Sequence, residues 1–382
     1  MELGFKPDFE EARGRWTAFW KGESTRPLVS IIVPKPGTKY RGPNKHLAGL
    51  PWETPFTPTG LPGEPPVYLA CLDGNFQPVI DQLLAWGEAY DFIGEAIPGY
   101  YLEFGPDTFA AYLGAELHYD EDSKSNWCLP FVEDWDEVEI RFQREGHWWQ
   151  LTRAFIRALR AQCDGKLLIV PPTLVGNLDA LAAIRGAANL FVDMMEEPEK
   201  IQRALEAVCR AHTEIINAYA EELAWDEWGS LNIEATYTTG RHSRPQCDAS
   251  CMISMQMFQE FVLPCLQYEA NEQDAFVFHL DGPGALHHVE ALCGMDKLDV
   301  IAFMPGTGNE GKDWSELAAK IDRLGKGHLF ASTKTSQAEI KAAWQKYNSR
   351  KLFFCTDAAS RMEAEDFIAE LEQLEKVRND DS

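Results

Sequence analysis

Chemically reactive side chains end two apolar segments of this sequence. His279 and Asp281 close the segment that begins Phe276-Val277-Phe278, and Cys355 closes the segment Leu352-Phe353-Phe354. On a strand, residues two apart point to the same side, so His279 and Asp281 can act together. With Cys355 they offer nitrogen, oxygen and sulfur donors. Three protein ligands and an open fourth position suit a catalytic zinc ion, which activates a thiol or water. Alternatively, His279 and Asp281 form a hydrogen bond with each other, and Cys355 is a buried side chain that packs in the core as an apolar residue.

A second group of polar residues lies in the loop at 236–252, after a predicted strand at 230–235 that carries Glu234. Loops held by a rigid scaffold often carry binding residues. We therefore predict that Glu234, Gln246 and Asp248 bind substrate. The alternative is that Ser254 caps the following helix while the charged loop residues form surface pairs.

Strand-like and helix-like segments alternate along the chain from about residue 166. The pattern includes a helix at 180–195 and a long amphipathic helix from Pro198 to about Leu223. Six strands are visible there, and Leu28–Val33 with either Val67–Leu72 or Asp91–Ile97 could supply two more. Such alternation indicates a parallel sheet covered on both faces. No GxGxxG follows a strand, so we predict a (β/α)8 TIM barrel of the α/β class rather than a dinucleotide fold.

In a barrel, polar residues at the C-terminal ends of the strands converge on one mouth. We predict one domain spanning 1–382, with an irregular N-terminal extension over about 1–70. Its Pro- and Gly-rich stretch at 34–66 could serve as a lid.

Composition narrows the classes of partner. The net charge of −25 argues against binding to nucleic acid or anionic membranes, and also against a polyanionic substrate. The chain has no apolar stretch of 18 residues, and its charged start lacks the apolar region of a signal peptide. Nine scattered cysteines without a CxxC pair are typical of reduced thiols. We therefore expect a cytoplasmic protein.

Several motifs in residues 166–358 resemble, in order, those of the uroporphyrinogen decarboxylase superfamily, which includes zinc-dependent methyl-corrinoid:thiol methyltransferases. The motifs are Gly176–Asp179 with Ile184–Gly186, Cys247-Asp248 before Met252–Ser254 and Phe258–Phe261, Phe278–Gly282, and Phe354-Cys355.

The methyltransferase branch of that superfamily binds zinc through a His-x-Cys pair and a cysteine on the last strand. The resemblance implies that His279 and Cys355 keep the outer positions, with Asp281 where the middle cysteine would stand. The decarboxylase branch has an Arg-rich loop after its first strand, whereas the sequence at 31–37 here has no arginine. This difference argues against porphyrinogen decarboxylation.

The resemblance implies a zinc-assisted methyltransferase or demethylase that acts on a small methylated compound, with a corrinoid protein as partner and a homodimeric assembly. Two other functions stay open. One is a lyase or decarboxylase in which His279 and Asp281 transfer protons. The other is a barrel that binds a small molecule without turnover.

Overall fold

A computed structural model describes residues 2–38, 74–102, 105–120, 125–309, 311–330 and 335–374. The predicted lid, from residue 39 onward, and the candidate strand Val67–Leu72 lie outside these ranges.

Strands and helices alternate through most of the described chain. The strands are β1 (Leu28–Pro34), β2 (Tyr90–Gly94), β3 (Gly99–Tyr101), β4 (Glu116–Asp120), β5 (Ser125–Leu129), β6 (Leu168–Val170), β7 (Ser230–Leu231), β8 (Tyr237–Thr238), β9 (Val277–Asp281), β10 (Val300–Met304), β11 (Gly327–Phe330) and β12 (Phe353–Thr356). The α-helices are α1 (Phe9–Trp20), α2 (Gln77–Ala89), α3 (Thr108–Tyr112), α4 (His147–Cys163), α5 (Asn177–Arg185), α6 (Ala187–Glu196), α7 (Pro198–Glu222), α8 (Trp225–Trp228), α9 (Met255–Met257), α10 (Leu263–Asn271), α11 (Val289–Cys293), α12 (Ser315–Arg323), α13 (Gln337–Lys346) and α14 (Arg361–Glu372). Short 3₁₀ turns at Asp248–Met252 and Pro283–His288 and a π-helical turn at Phe258–Val262 complete the set.

Most strand pairs near the C-terminus are parallel, as the alternation predicts. β9, β10 and β11 form one parallel sheet, and β12 pairs in parallel with β1. A single bridge between His328 and Leu352 connects these two sheets. β3 and β6 form a further parallel pair. Buried apolar side chains fill both faces of these strands, which is typical of parallel sheets covered by helices.

The sheet differs from the predicted barrel in two respects. β2 runs antiparallel to β1, because helix α2 leads directly into Tyr90, which lies opposite Pro34 at the C-terminal end of β1. In addition, the strand ladders of the described residues do not close into a ring. The observed fold is therefore mixed α/β. This confirms the predicted α/β class, and the closed (β/α)8 barrel stays a prediction.

The helices named in the sequence analysis lie where they are predicted, with one clear exception. α7 extends from Pro198 to Glu222, as predicted, with the proline in the first turn where its missing N–H is harmless. The helix predicted at 180–195 is instead divided at Gly186, which has a positive φ of 86°. Glycine adopts this conformation without steric cost, so α5 ends and α6 begins there. Across the described ranges, no helix combines the length and the apolar character that a bilayer crossing requires.

Helix α1 is part of the protein body. Phe9, Trp16 and Phe19 are fully buried, and the ring of Trp16 lies 5.0 Å from that of Phe353 on β12. The aromatic ring of Phe9 contacts Tyr237 edge-on at 5.7 Å. Helix α1, within the predicted N-terminal extension, therefore packs against β12, which carries Cys355, and against β8.

Candidate functional site

The candidate site is centred on His279, the third residue of β9. The backbone N–H of His279 donates to Pro245 O at 2.8 Å, and Gln246 forms a parallel bridge with His279. Pro245 and Gln246 thus pair with β9. This pairing brings the loop predicted to bind substrate against the histidine predicted to do chemistry.

Glu234 determines the orientation and tautomer of His279. Nδ1 of His279 lies 3.2 Å from Glu234 Oε1, and both side chains are buried. Burial acts to raise the pKa of Glu234, but Arg244 and His279 outweigh it and hold the pKa at about 2. Glu234 is therefore a carboxylate, so Nδ1 carries the proton and donates, and Nε2 is left as an acceptor. Burial is the largest cause that lowers the pKa of His279, and the charge of Arg244 acts in the same direction, so the imidazole is neutral at pH 7.

A continuous series of hydrogen bonds connects Glu234 with the other predicted substrate residues. Arg244 donates through Nε to Glu234 at 2.7 Å and through Nη1 to Gln246 Oε1 at 2.7 Å. Gln246 in turn donates through Nε2 to Asp248 Oδ2 at 2.9 Å. The structure therefore brings Glu234, Gln246 and Asp248 together with His279. Arg244, which the sequence prediction left out of the site, is the residue that joins them.

Glu234 reaches this position from a turn and not from a strand end. The predicted strand at 230–235 contains only β7, and Ala235 has a positive φ of 58°. Asn232 closes the turn by accepting hydrogen bonds from the N–H and the hydroxyl of Thr236. The turn points Glu234 back toward β9.

Asp179 supports the Gln246–Asp248 segment from the first turn of α5. Its two carboxylate oxygens accept the backbone N–H groups of Asp248 at 2.7 Å and Ala249 at 2.8 Å. Nearby, Asn177 donates through Nδ2 to Gln246 O at 2.9 Å. The sequence Asn177–Asp179 is typical of residues that cap the following helix, which is the role predicted for it. In the structure α5 begins at Asn177 without a side-chain cap, and both side chains bind the neighbouring segment instead.

Burial and the charge of Asp248 raise the pKa of Asp179 to about 7. A carboxyl group whose pKa is raised on folding binds more protons when folded, so the protein loses stability as the pH rises from about 4 to about 7. We expect Asp179→Asn to flatten this part of the stability curve. Urea unfolding from pH 4 to pH 8 measures it, with the exposed Asp164→Asn as control. An unchanged slope in Asp179→Asn would contradict the assignment.

The predicted metal ligands are only partly assembled. Asp281 is 46% exposed, and its Oδ1 lies 4.0 Å from Nε2 of His279. Cys355 lies on β12 beside Ser30 of β1, and β10 and β11 lie between β9 and β12 in the strand order. Within the described ranges, no three His, Cys, Asp or Glu side chains form a group that could hold a metal ion. The set His279, Asp281 and Cys355 therefore does not fit a zinc ion as it stands.

The arrangement is suited to proton transfer. A neutral imidazole is backed by a carboxylate that stabilises the imidazolium form, and its Nε2 faces the exposed Asp281. A histidine held in this way can act as a general base near neutral pH. Arg244 is already paired with Glu234, and the carboxyl groups of Asp248 and Asp281 also lie near the histidine; burial raises the pKa of Asp248.

Comparison with known proteins yields matches to solved structures and no match to a family model or a curated sequence. A solved structure of a methyltransferase from Methanosarcina mazei matches with a TM-score of 0.55 at 13% sequence identity. The match covers 95% of this chain and 98% of that chain. At this level of identity, the likeness shows a shared fold.

Proposed function

Starting from this shared fold, we propose that the protein is a methyl-transfer enzyme that acts on a small methylated compound at the site around His279. The observation that carries the proposal is the match to a methyltransferase along almost the whole of both chains. The resemblance of the sequence motifs to the uroporphyrinogen decarboxylase superfamily supports the same conclusion independently.

The geometry of His279 suggests how its side chain takes part. A thiol or hydroxyl acceptor must lose its proton to attack a methyl carbon. In the proposal, Nε2 of His279 accepts that proton as the acceptor bonds to the methyl carbon. The bond from that carbon to the leaving atom breaks, and the leaving atom keeps the electron pair. The carboxylate of Glu234, 3.2 Å from Nδ1, stabilises the resulting imidazolium.

Zinc and a corrinoid protein enter this proposal only through the family resemblance. Because the described residues do not gather His279, Asp281 and Cys355 into one ligand set, no step here uses a metal. A corrinoid protein as methyl donor or acceptor, and a homodimeric assembly, are interactions to be tested by binding and by sedimentation.

A lyase or decarboxylase is the second candidate function. It is favoured by the 4.0 Å separation of His279 Nε2 and Asp281 Oδ1, which would let the two groups exchange a proton through a substrate atom between them. In that reaction, the substrate loses carbon dioxide or another fragment and no methyl group reaches an acceptor.

One experiment separates the two functions. Purified protein is incubated with a panel of methylated amines, thiols and phenols and a thiol acceptor, with and without methylcobalamin, and products are identified by mass spectrometry. Methyl transfer to the thiol supports the proposal. Fragment loss without methyl transfer would replace it with the lyase function.

Metal analysis of protein purified without chelators tests zinc separately, and we expect less than one zinc per chain.

A further inference from the structure

Asn177 connects the candidate site to the helical core through its side-chain amide. Its Nδ2 donates one hydrogen bond to Gln246 O at 2.9 Å and a second to Oε1 of Glu269 at 3.3 Å. Its Oδ1 accepts the backbone N–H of Leu178 at 2.8 Å. Both N–H donors of this buried amide are therefore used, and turning the amide over would place its oxygen against two acceptors. Glu269 is thus one of the groups that fix the orientation of Asn177.

The backbone of Asn177 is in an uncommon conformation. Its φ is 47°, in the left-handed region that asparagine adopts more readily than most residues but that is still rare outside glycine. Such a conformation persists where the surrounding contacts hold it. Here the side-chain contacts come from Gln246 on one side and from Glu269, on α10, on the other. The strained residue therefore lies at the junction between the core and the loop that pairs with His279.

Glu269 is buried on α10 without a cationic partner. It is 1% exposed, and its Oε2 has no hydrogen-bond partner among the described residues. In the same part of the chain, no lysine or arginine pairs with it. Burial is the largest cause that raises the pKa of Glu269 well above its ordinary value. The neutral acid is therefore the form favoured at this position, with Oε1 as the acceptor for Asn177 and the proton on Oε2.

Gly176 and His212 border the carboxyl group of Glu269. A Cβ atom placed on Gly176 would lie 3.1 Å from Glu269 Oε1 and 3.3 Å from Cδ2 of His212. His212, on α7, is 1% exposed, and burial lowers its pKa to about 4, so its ring is neutral. The missing side chain at Gly176 therefore lets the carboxyl group approach Asn177 at the start of α5.

We propose that Glu269 is a positioning residue of the candidate site, which acts through Asn177 to hold Gln246 beside His279. The backbone of Gln246 bridges to His279, and its side chain donates to Asp248. Loss of the acceptor at Glu269 leaves a buried N–H of Asn177 unpaired and removes one side of its anchor. Because Glu269 acts at a distance from His279, its effect on catalysis rests on the proposed function of the site.

Hydrogen–deuterium exchange of the full-length protein measures this positioning without a substrate. The amides that report on it are those of Asp248, Ala249 and His279, each of which donates to an acceptor within the site. We expect Glu269→Leu to speed their exchange about tenfold, because one hydrogen bond of the anchor is lost. Glu269→Gln keeps a neutral acceptor at Oε1 and should stay within about twofold of the wild type.

Matched variants separate positioning from a general loss of packing. Leu266→Ala removes a fully buried apolar side chain of α10, so it should lower the urea midpoint of unfolding without selectively speeding exchange at the three amides. Asn177→Gly keeps the positive φ and removes the connecting amide. Adding Glu269→Leu to Asn177→Gly should speed exchange no further, because Glu269 acts through that amide.

Gly176→Ala tests the same contact if Glu269→Leu does not fold. The added Cβ keeps every polar group and presses on Glu269 Oε1 from 3.1 Å, so the same three amides should exchange faster than in the wild type.

Steady-state kinetics extend the test once the methyl-transfer screen has identified a substrate. Glu269→Leu should lower kcat by about 10- to 100-fold, as expected for a small misplacement of the reacting groups, and Glu269→Gln should restore it. If the screen finds no methyl transfer, the proposed function fails while the exchange data still decide the role of Glu269. That role is overturned if Glu269→Leu leaves exchange at the three amides unchanged, if Glu269→Gln speeds it equally, or if the double variant is additive.

Discussion

Replacing Glu95 with glutamine is expected to lower the free energy of unfolding by about 3–5 kcal/mol, the usual cost of removing one partner from a buried ion pair. Glu95 is fully buried and accepts hydrogen bonds from both Nη atoms of Arg26, at 3.0 and 2.9 Å, and from Nε of Arg15. It also accepts the backbone N–H of Val29 in β1 at 2.8 Å. Glutamine cannot accept all of these bonds, and it leaves the buried charge of Arg26 with the exposed carboxylate of Glu372, 3.9 Å from its Nε, as its remaining ion pair.

The matched control is Glu222→Gln. Glu222 also binds two arginines, Arg153 and Arg157, but its own carboxylate is 15% exposed and Arg157 is 61% exposed to solvent. Water can replace the lost carboxylate there, so we expect a loss of about 1 kcal/mol or less. Urea unfolding of the two variants at pH 7 makes the comparison. Similar losses in both variants would show that the buried cluster is not a main contributor to stability.

The pH dependence offers a second measurement on Glu95. Burial acts to raise its pKa, but Arg26 and Arg15 outweigh burial and keep the pKa below the ordinary value of 4.5. A carboxylate whose pKa is lowered on folding stabilises the protein above the unfolded pKa, and this contribution is lost as the pH falls through the folded pKa. The wild-type protein should therefore lose stability below about pH 4.5 more steeply than Glu95→Gln.

Replacing His279 with glutamine is expected to lower kcat of the proposed reaction by about 10²–10⁴-fold, the usual contribution of a general base. Glutamine can still donate a hydrogen bond to Glu234, so the local structure is kept, but its amide cannot accept a proton from the acceptor. Because burial lowers the pKa of His279 below 6.5, the wild-type rate should rise with pH below that value and be level near pH 7. This decrease in rate at low pH should be absent from the variant.

The control for this prediction is His147→Gln, a change at the start of α4 and away from β9. It should leave both kcat and the pH profile unchanged. Steady-state assays with the substrate found in the methyl-transfer screen measure both variants between pH 5 and pH 8. If His279→Gln keeps full activity with an unaltered profile, His279 is not the base and the proposed site is wrong. A rise in KM with kcat unchanged would instead indicate a role in binding alone.

Local patterns identified the elements and several reactive residues of this protein. The apolar run that ends in His279 and Asp281 is β9, and the run that ends in Cys355 is β12. Pro198 begins the long helix α7, as its position in the sequence predicts. These features could be predicted because the burial of one face of a strand and the start of a helix both depend on residues that are only a few positions apart in the chain.

Tertiary structure alone decided how these elements come together. Glu234 is 45 positions from His279, and Asp179 is 69 positions from the backbone N–H of Asp248 that it binds. The sequence predicts that Cys355 and His279 meet, and because two strands lie between β9 and β12, their meeting depends on how the sheet curves. Hydrophobic periodicity reports which face of an element is buried but not which element lies next to it. The residue types at the site could therefore be read from the sequence, and their partners depended on the packing of distant segments.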